Sequence, residues 1–220
     1  ELEKNQHLKT LNVSKNGLTR IDGNLLKALG TSGLRNLYCY KNKISSLPPS
    51  IGHIGTLQIL SISNNKLTKL PDEIGGLEQL LELYVGGKNN ETFQFTETFQ
   101  FTRTFVVGVV LTNFFNLFFF FETGNVGLKA IPATCKGWKS IQALYAQSCT
   151  KLKSLPLQLA WCRTLRDLNV LSAKKKQTCV VYRSLLDSIP GLKLRGGKVK
   201  KDKKKKGGGG NPMLPPPHGK

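Results

Sequence analysis

Apolar residues recur along this chain in a fixed order that is neither simply helical nor simply alternating. The segment LRNLYCYKNKISSLPPSIGHIGT, from Leu34, lies on LQILSISNNKLTKLPDEIGGLEQ, from Leu57, with a period of 23 residues. Both read LxxLxxxxNxφxxLPxxIxxφ, where φ is apolar. A copy from Leu8 runs to 26 residues, one from Ile141 runs to 24, and another begins at Leu165 and dissolves. Repetition at such a period predicts stacked units, each of which hides its apolar face only against its neighbours. Within a unit, LxxLxL predicts a short strand with inward leucines and outward residues between them. The strands of successive units then stack as a parallel sheet. Asn16, Asn42, Asn65 and Cys149 share one slot where the chain turns. A side-chain amide there can satisfy backbone groups that the turn would otherwise bury unpaired, and a thiol is a weaker donor. Pro48, Pro71 and Pro156 fall on the return side, where no ladder hydrogen bond is needed.

These in-register copies resemble the leucine-rich repeat family, in the variants that carry Leu-Pro in each repeat, over roughly Leu8 to Val170. Such variants occur in intracellular scaffolds and Ras-pathway adaptors. The CxxLxxLP form at Cys149, Leu152, Leu155 and Pro156 is also similar to repeats of plant intracellular immune receptors. The resemblance implies an α/β solenoid of roughly six repeats, with a parallel concave sheet and an irregular or short-helical convex side.

One repeat is interrupted. From Leu80, with Leu83 and Val85 in register, the chain reaches Lys88 where the Asn is expected. The expected ending, NVGLKAIPATCKGWKS, begins only at Asn125. Removing 88–124, which is 37 residues, joins the two halves into LLELYVGGNVGLKAIPATCKGWKS, in the spacing of the next copy. All eleven phenylalanines of the chain fall inside the removed stretch. Three explanations stand for it: an inserted loop or hairpin, a membrane segment over Phe105–Phe121, or translated intron. A span within one repeat would separate the halves of a unit that must close one core, which argues against a membrane. Codon possibilities at Gly87-Lys88 and Thr123-Gly124, the run of four phenylalanines and the duplicated ETFQFT suit an intron. The composition is β-prone and poorly charged, which is aggregation-liable.

The solenoid is expected over 1–173. A C-terminal cap is expected over 174–197, where YRSLLDSIPGLKLRGG resembles the closing element of some intracellular leucine-rich repeat arrays. Leu185, Leu186 and Ile189 would cover the last repeat, and Leu194-Arg195-Gly196 would form the terminal turn, with Arg195 where that pattern has Asp. A disordered Gly/Pro tail is expected over 198–220. Net charge is +20, and more than half of it follows Lys174. Lys198, Lys200, Lys201, Lys203, Lys204, Lys205 and Lys206 form a patch able to attract polyanions or direct nuclear import. Without interleaved aromatics, such attraction would be weak, sequence-blind and salt-dependent.

No catalytic constellation stands out, so no enzyme, metal or cofactor is expected. His7, His53 and His218 are dispersed. Of the five cysteines, Cys39, Cys135 and Cys162 take apolar slots and Cys149 the turn slot, as small buried hydrophobes in a reducing compartment. The outward strand position after the second leucine holds Asn12, Tyr38, Ser61, Tyr84, Tyr145 and Asn169, with Tyr40 outward beside Tyr38. Tyrosine gives broad contact area with a polar tip. Arg35, Tyr38, Tyr40, Lys41, Tyr84 and Tyr145 are therefore the candidate partner-binding residues of a concave face. The expected function is a non-enzymatic protein-interaction scaffold, cytoplasmic or nuclear. Two alternatives are a ligand-sensing fragment of a larger receptor or immune-type protein, and a nuclear or RNA-associated adaptor localised by its lysine tail. The chain begins mid-pattern without Met, which suggests a fragment or a processed product.

Overall fold

The second leucine of each repeat sets the architecture. Leu11, Leu37, Leu60, Leu83, Leu144, Leu168 and Leu194 stand in register across one parallel sheet. The structure, a computed structural model, describes residues 7–86, 125, 127–171 and 179–201. The readings of 88–124 and of 202–220, including Lys203, Lys204, Lys205 and Lys206, lie outside the described residues. The sheet has the order β1 (Thr10–Asn12), β2 (Asn36–Tyr38), β3 (Ile59–Ser61), β4 (Glu82–Tyr84), β5 (Ala143–Tyr145), β6 (Asp167–Val170) and then β8 (Lys193–Gly196). A second, two-stranded parallel sheet joins β7 (Val180–Tyr182) to β9 (Lys198–Lys200). The helix α2 (Arg183–Ser188) lies between β7 and β8.

The return side is built from short 3-10 segments at Pro49–His53, Asp72–Gly76, Ala133–Gly137 and Leu157–Trp161. In the last three, the proline of the Leu-Pro pair, or Ile-Pro in the interrupted repeat, sits just before the first turn, with its fixed φ in extended backbone. In the other, Pro48 holds that place and Pro49 opens the segment. The first repeat has three more residues than the next, and its return is a full helix, α1 (Gly23–Ser32). Asp22 caps it by accepting from the Asn24 N–H at 2.8 Å. The 3-10 segments stack almost backbone to backbone. A Cβ at Gly75 would lie 2.4 Å from the Thr134 carbonyl oxygen, so only glycine fits there. Between these segments and the sheet runs one continuous apolar core. Trp138 is fully buried in it, and its indole N–H donates to the Ile74 carbonyl at 2.8 Å.

The turn side is fastened by side-chain amides. Asn42 Oδ1 accepts from the backbone N–H groups of Asn16 and Leu18, each at 3.0 Å. Its Nδ2 donates to the carbonyls of Val13 and Cys39. Asn65 repeats the arrangement one unit on, accepting from Ile44 and donating to Cys39 and Ile62. Asn125 repeats it again. Its Oδ1 accepts from Leu67 N–H at 3.1 Å, and its Nδ2 donates to Ile62 at 2.9 Å and Val85 at 2.7 Å. Asn125 therefore bonds Val85 across the interruption as Asn65 bonds Ile62 three residues away. The joined register read from sequence is the register of the fold, since β4 pairs directly with β5. Just before the slot, Lys15, Lys41, Asn64 and Ser148 occupy one equivalent position with φ between 54° and 63°. Left-handed backbone at a non-glycine residue costs about 1–2 kcal/mol. Each of the four N–H groups donates to a carbonyl of the following repeat, which offsets that cost: to Tyr40, Ser63, Gly86 and Leu171.

The C-terminal end departs from expectation in two places. Leu194-Arg195-Gly196 is not a terminal turn but part of β8, a seventh strand on the main sheet. Residues 198–200 are not the start of a tail but β9. The reason lies at Ser154, which bridges Val180 in parallel. This places β7 against the turn side of the fifth repeat, and the free edge of β7 takes up β9. The helix α2 covers the end of the array with Leu185 and Ile189 buried and Leu186 packed partly beneath. Among the described residues, no helix is long and apolar enough to cross a membrane.

Candidate functional site

The outward position after the second leucine forms one continuous row. Asn12, Tyr38, Ser61, Tyr84, Tyr145, Asn169 and Arg195 are successive register partners across seven strands. Near the middle of the row, Tyr84 and Tyr145 stack with ring centroids 4.6 Å apart and planes within 8°. Stacked pairs of this kind contribute about 0.5–1.5 kcal/mol beyond their burial. The Tyr84 hydroxyl donates to the Glu82 carboxylate on the same strand. Burial first, then that bond and the Glu82 charge, push the Tyr84 phenol well above its ordinary range. Burial and the charges of Asp167 and Glu82 push Tyr145 the same way, with Arg195 opposing. Both phenols therefore stay protonated as donors throughout the neutral range.

The candidate residues are not all alike. Tyr38 is not outward in the sense of accessible: it is 7% exposed. A concave sheet crowds side chains of neighbouring strands together, so large rings bracketing a small residue bury both it and one another. Ser61, between Tyr38 and Tyr84, is fully buried, and so is Ser63. Neither hydroxyl has a hydrogen-bond partner among the described residues. Tyr40, Tyr84 and Tyr145 are half-buried. Tyr40 receives the Lys15 ammonium 6.0 Å from its ring centroid. Arg35 and Lys41 lie beyond the two ends of β2. Arg35 is exposed just before β2, whereas Lys41 occupies the left-handed turn beyond its end. Lys198, Lys200 and Lys201 are exposed at the other extremity of the array and do not join this row.

Sequence reasoning placed Ser61 in the row but missed its burial with Ser63, and it missed Glu82 and Arg195. Glu82 could have been found, because it stands two places before Tyr84 and so shares its face. Arg195 could not, because the strand that carries it was read as a turn. All five cysteines are free and buried. Burial pushes Cys39, Cys149 and Cys162 up to about 12 and Cys179 to about 11. Thiols held protonated in this way are packing groups rather than nucleophiles. Among the described residues, no cluster of His, Cys, Asp or Glu could hold a metal ion.

Comparison with known proteins agrees with this geometry. The family model described as Leucine Rich Repeat matches residues 56–77, which is one unit of the array. A curated relative, a probable inactive serine/threonine-protein kinase, roco10, of Dictyostelium discoideum, is 38% identical over 86 residues. That match covers 38% of this chain and 3% of the kinase. A leucine-rich repeat protein of Leptospira interrogans superposes with a TM-score of 0.56 at 18% identity, over 88% of this chain and 44% of that one. A plant peptide hormone receptor, RGFR1 in complex with RGF2, aligns with a TM-score of 0.44 at 16% identity, over 89% of this chain and 33% of that one. The chain thus spans less than half the length of each of these relatives. The register of the leucines, the amide slot and the Leptospira neighbour together show the leucine-rich repeat fold, and the family model matches one unit of it.

Proposed function

We propose that the chain is a non-enzymatic protein-binding module that engages its partner across the concave row, centred on Tyr84 and Tyr145. The observation that carries this reading is the stacked pair, held by register and by the Glu82 bond on a rigid sheet. Rigid aromatic surface with protonated hydroxyl tips loses little conformational entropy on binding, which is why tyrosine is enriched at interface hot spots. Arg195 and Asn169 extend the row on one side, and Tyr40 stands beside its Tyr38 member on the other. The row is read as a surface for a folded or extended protein partner in the cytoplasm or nucleus.

A photo-crosslinking amino acid at Asn169, beside the pair, tests this. It should capture a discrete partner, and Tyr84→Ala with Tyr145→Ala should abolish the capture. Equal capture from the convex position Lys27, or capture indifferent to the two substitutions, would sink the reading.

A second reading is that these repeats are the sensing part of a larger protein. It is favoured by the 86-residue match that takes up 3% of the Dictyostelium kinase. A longer transcript encoding a signalling domain in frame with these repeats would support it, and a short complete reading frame would oppose it.

A further inference from the structure

The turn side of the solenoid carries a second backbone ladder, separate from the main sheet. Lys43 N–H donates to Leu18 at 2.7 Å, Lys66 N–H to Ile44 at 2.9 Å, and Lys129 N–H to Thr68 at 3.1 Å. The fourth and fifth repeats are neighbours through β4 and β5. From the fifth, Val180 N–H donates to Lys153 at 2.7 Å, and β9 then pairs with β7. On this side the ladder runs from the first repeat to the fourth and again from the fifth to β9, and between the fourth and fifth the edge is carried by their adjacency in the main sheet. Six steps of about 4.8 Å make the edge roughly 29 Å long.

Lysines punctuate this edge. Lys43, Lys66, Lys129, Lys153, Lys198 and Lys200 are all exposed, beside buried neighbours such as Ile44, Leu67, Leu128 and Leu152. The turn segments 14–21, 40–48, 63–71, 127–132 and 147–156, together with 197–201, hold no Asp or Glu. None of the six lysines is ion-paired among the described residues. The opposite side differs: Asp72, Glu73 and Glu78 lie on or beside the 3-10 segments, and Lys139 there pairs with Glu78 at 2.8 Å. Exposed cations recurring in successive repeats, with no counter-charge in their turn segments, are an electrostatic footprint for a polyanion.

We propose that this edge is a docking track for the sugar-phosphate backbone of single-stranded nucleic acid. The track is narrow and linear, which suits a chain better than a broad surface. Lysine supplies donors only, matching phosphate oxygens that only accept. A bilayer is disfavoured because basic membrane-surface elements pair their cations with a band of apolar residues. Among the described residues, the exposed large apolar side chains at this edge are Val199 and Leu171 near its C-terminal end, which is no such band. Tyr182 is the register partner of Lys200 and Tyr40 stands at the head of the second turn, but no ring alternates regularly with the lysines, so binding rests on phosphate contacts and depends little on sequence. The track is distinct from the concave row, and either can fail without the other.

The test uses the full chain and a fluorescein-labelled 20-nucleotide poly(U), with anisotropy titrations between 50 and 200 mM NaCl. Lys43→Glu, Lys66→Glu and Lys129→Glu combined should weaken binding at least tenfold at the lower salt. The log–log salt slope should fall by about 2, at about 0.7 for each phosphate that is no longer neutralised. A control with the same charge change on the other side, Lys27→Glu, Lys136→Glu and Arg163→Glu, should weaken binding less than threefold. Melting curves check that both variants fold, and Gln at the three edge positions replaces Glu if the first does not. Equal weakening by the two sets would overturn the proposal, since net charge alone would then explain binding. Loss only on changing Lys203, Lys204, Lys205 and Lys206 to Gln would overturn it too. So would retention on phosphatidylserine vesicles or polyglutamate with none on poly(U).

Discussion

The turn slot is filled by asparagine in the first part of the array and by cysteine at 149, and the two solutions differ in kind. Asn65 and Asn125 each tie two repeats together by accepting from one and donating to both. Cys149 makes one weak contact, from Sγ to the Val85 carbonyl at 3.5 Å, and offers no acceptor of comparable strength. The backbone has adapted around it. Ile44 and Leu67 donate their N–H groups to the asparagine of the following repeat, whereas Leu128 donates to the Asn125 carbonyl in its own turn at 2.9 Å. Leu152 does the same with Cys149 at 3.0 Å. Those two turns each carry one residue more between the slot and the next leucine. The extra residue gives the turn room to close on itself, so cohesion between repeats is exchanged for closure within one.

Substitutions can break or sharpen this contrast. The largest effect is expected at Asn125→Ala, which orphans the buried Leu67 N–H and takes a bond from the Ile62 and Val85 carbonyls, leaving them to Asn65 and to the weak Cys149 contact. At about 1–3 kcal/mol for the unsatisfied donor and about 0.5–1.5 kcal/mol for each bond lost, a loss of at least about 2 kcal/mol should appear in urea denaturation. A loss below about 1 kcal/mol would mean that Asn125 does not clasp the interrupted repeat. Gly75→Ala should follow, costing about 1–3 kcal/mol through the contact with the Thr134 carbonyl. Asn65→Cys imposes the later solution on a turn too short to use it, and should cost about 1–2 kcal/mol. The reciprocal Cys149→Asn should change stability by less than about 1 kcal/mol, because Leu128 N–H is already satisfied. If the two exchanges have equal and opposite effects, turn length plays no part.

Alkali gives a smaller and graded effect. The buried thiols have folded-state values raised from 9.0, to about 11 for Cys179 and about 12 for Cys39, Cys149 and Cys162. Below pH 9 both folded and unfolded thiols are protonated, and the stability is fully present. Above it the unfolded chain releases protons that the folded chain retains, so stability falls as pH rises from 9 towards 12. Denaturation midpoints across that range should decline, and the decline should lessen in a Cys149→Ala, Cys179→Ala variant. Ser61→Ala, the smallest change, removes a hydroxyl that bonds nothing described. It should be neutral, or stabilising by up to about 1 kcal/mol, in thermal melts.

What the sequence revealed follows from what a repeat makes periodic. Leu83, Asn125 and Leu144 could be placed because each is held by residues at constant offsets in neighbouring copies, so spacing alone carries the contact. The join between Gly87 and Asn125 was legible for the same reason. The accessibility of Tyr38 was not, because it depends on how small Ser61 is one repeat later and on the curvature of the sheet. Strand β8 was hidden because KLRG lacks the apolar spacing of the earlier strands. Its pairing comes from the free edge of β6 rather than from its own composition. The lysine edge was hidden because its members fall at different offsets: Lys43 and Lys66 precede their buried neighbour, whereas Lys129 and Lys153 follow theirs.

Asn125 also has a kinetic meaning. It reaches back 40 residues to Val85 and 63 to Ile62, whereas Asn65 bonds Ile62 at a distance of three. Closing a connection of that length costs roughly (3/2)RT ln n, about 3 kcal/mol, before any bond in the clasp is formed. Folding rates fall as contacts become more distant in sequence. The first three repeats, stitched by near neighbours, are therefore the place for nucleation, and the later ones must wait for one asparagine to find its seat. Stopped-flow refolding of the full chain should show the slow phase move when Asn125 is altered and stay in place when Asn42 is.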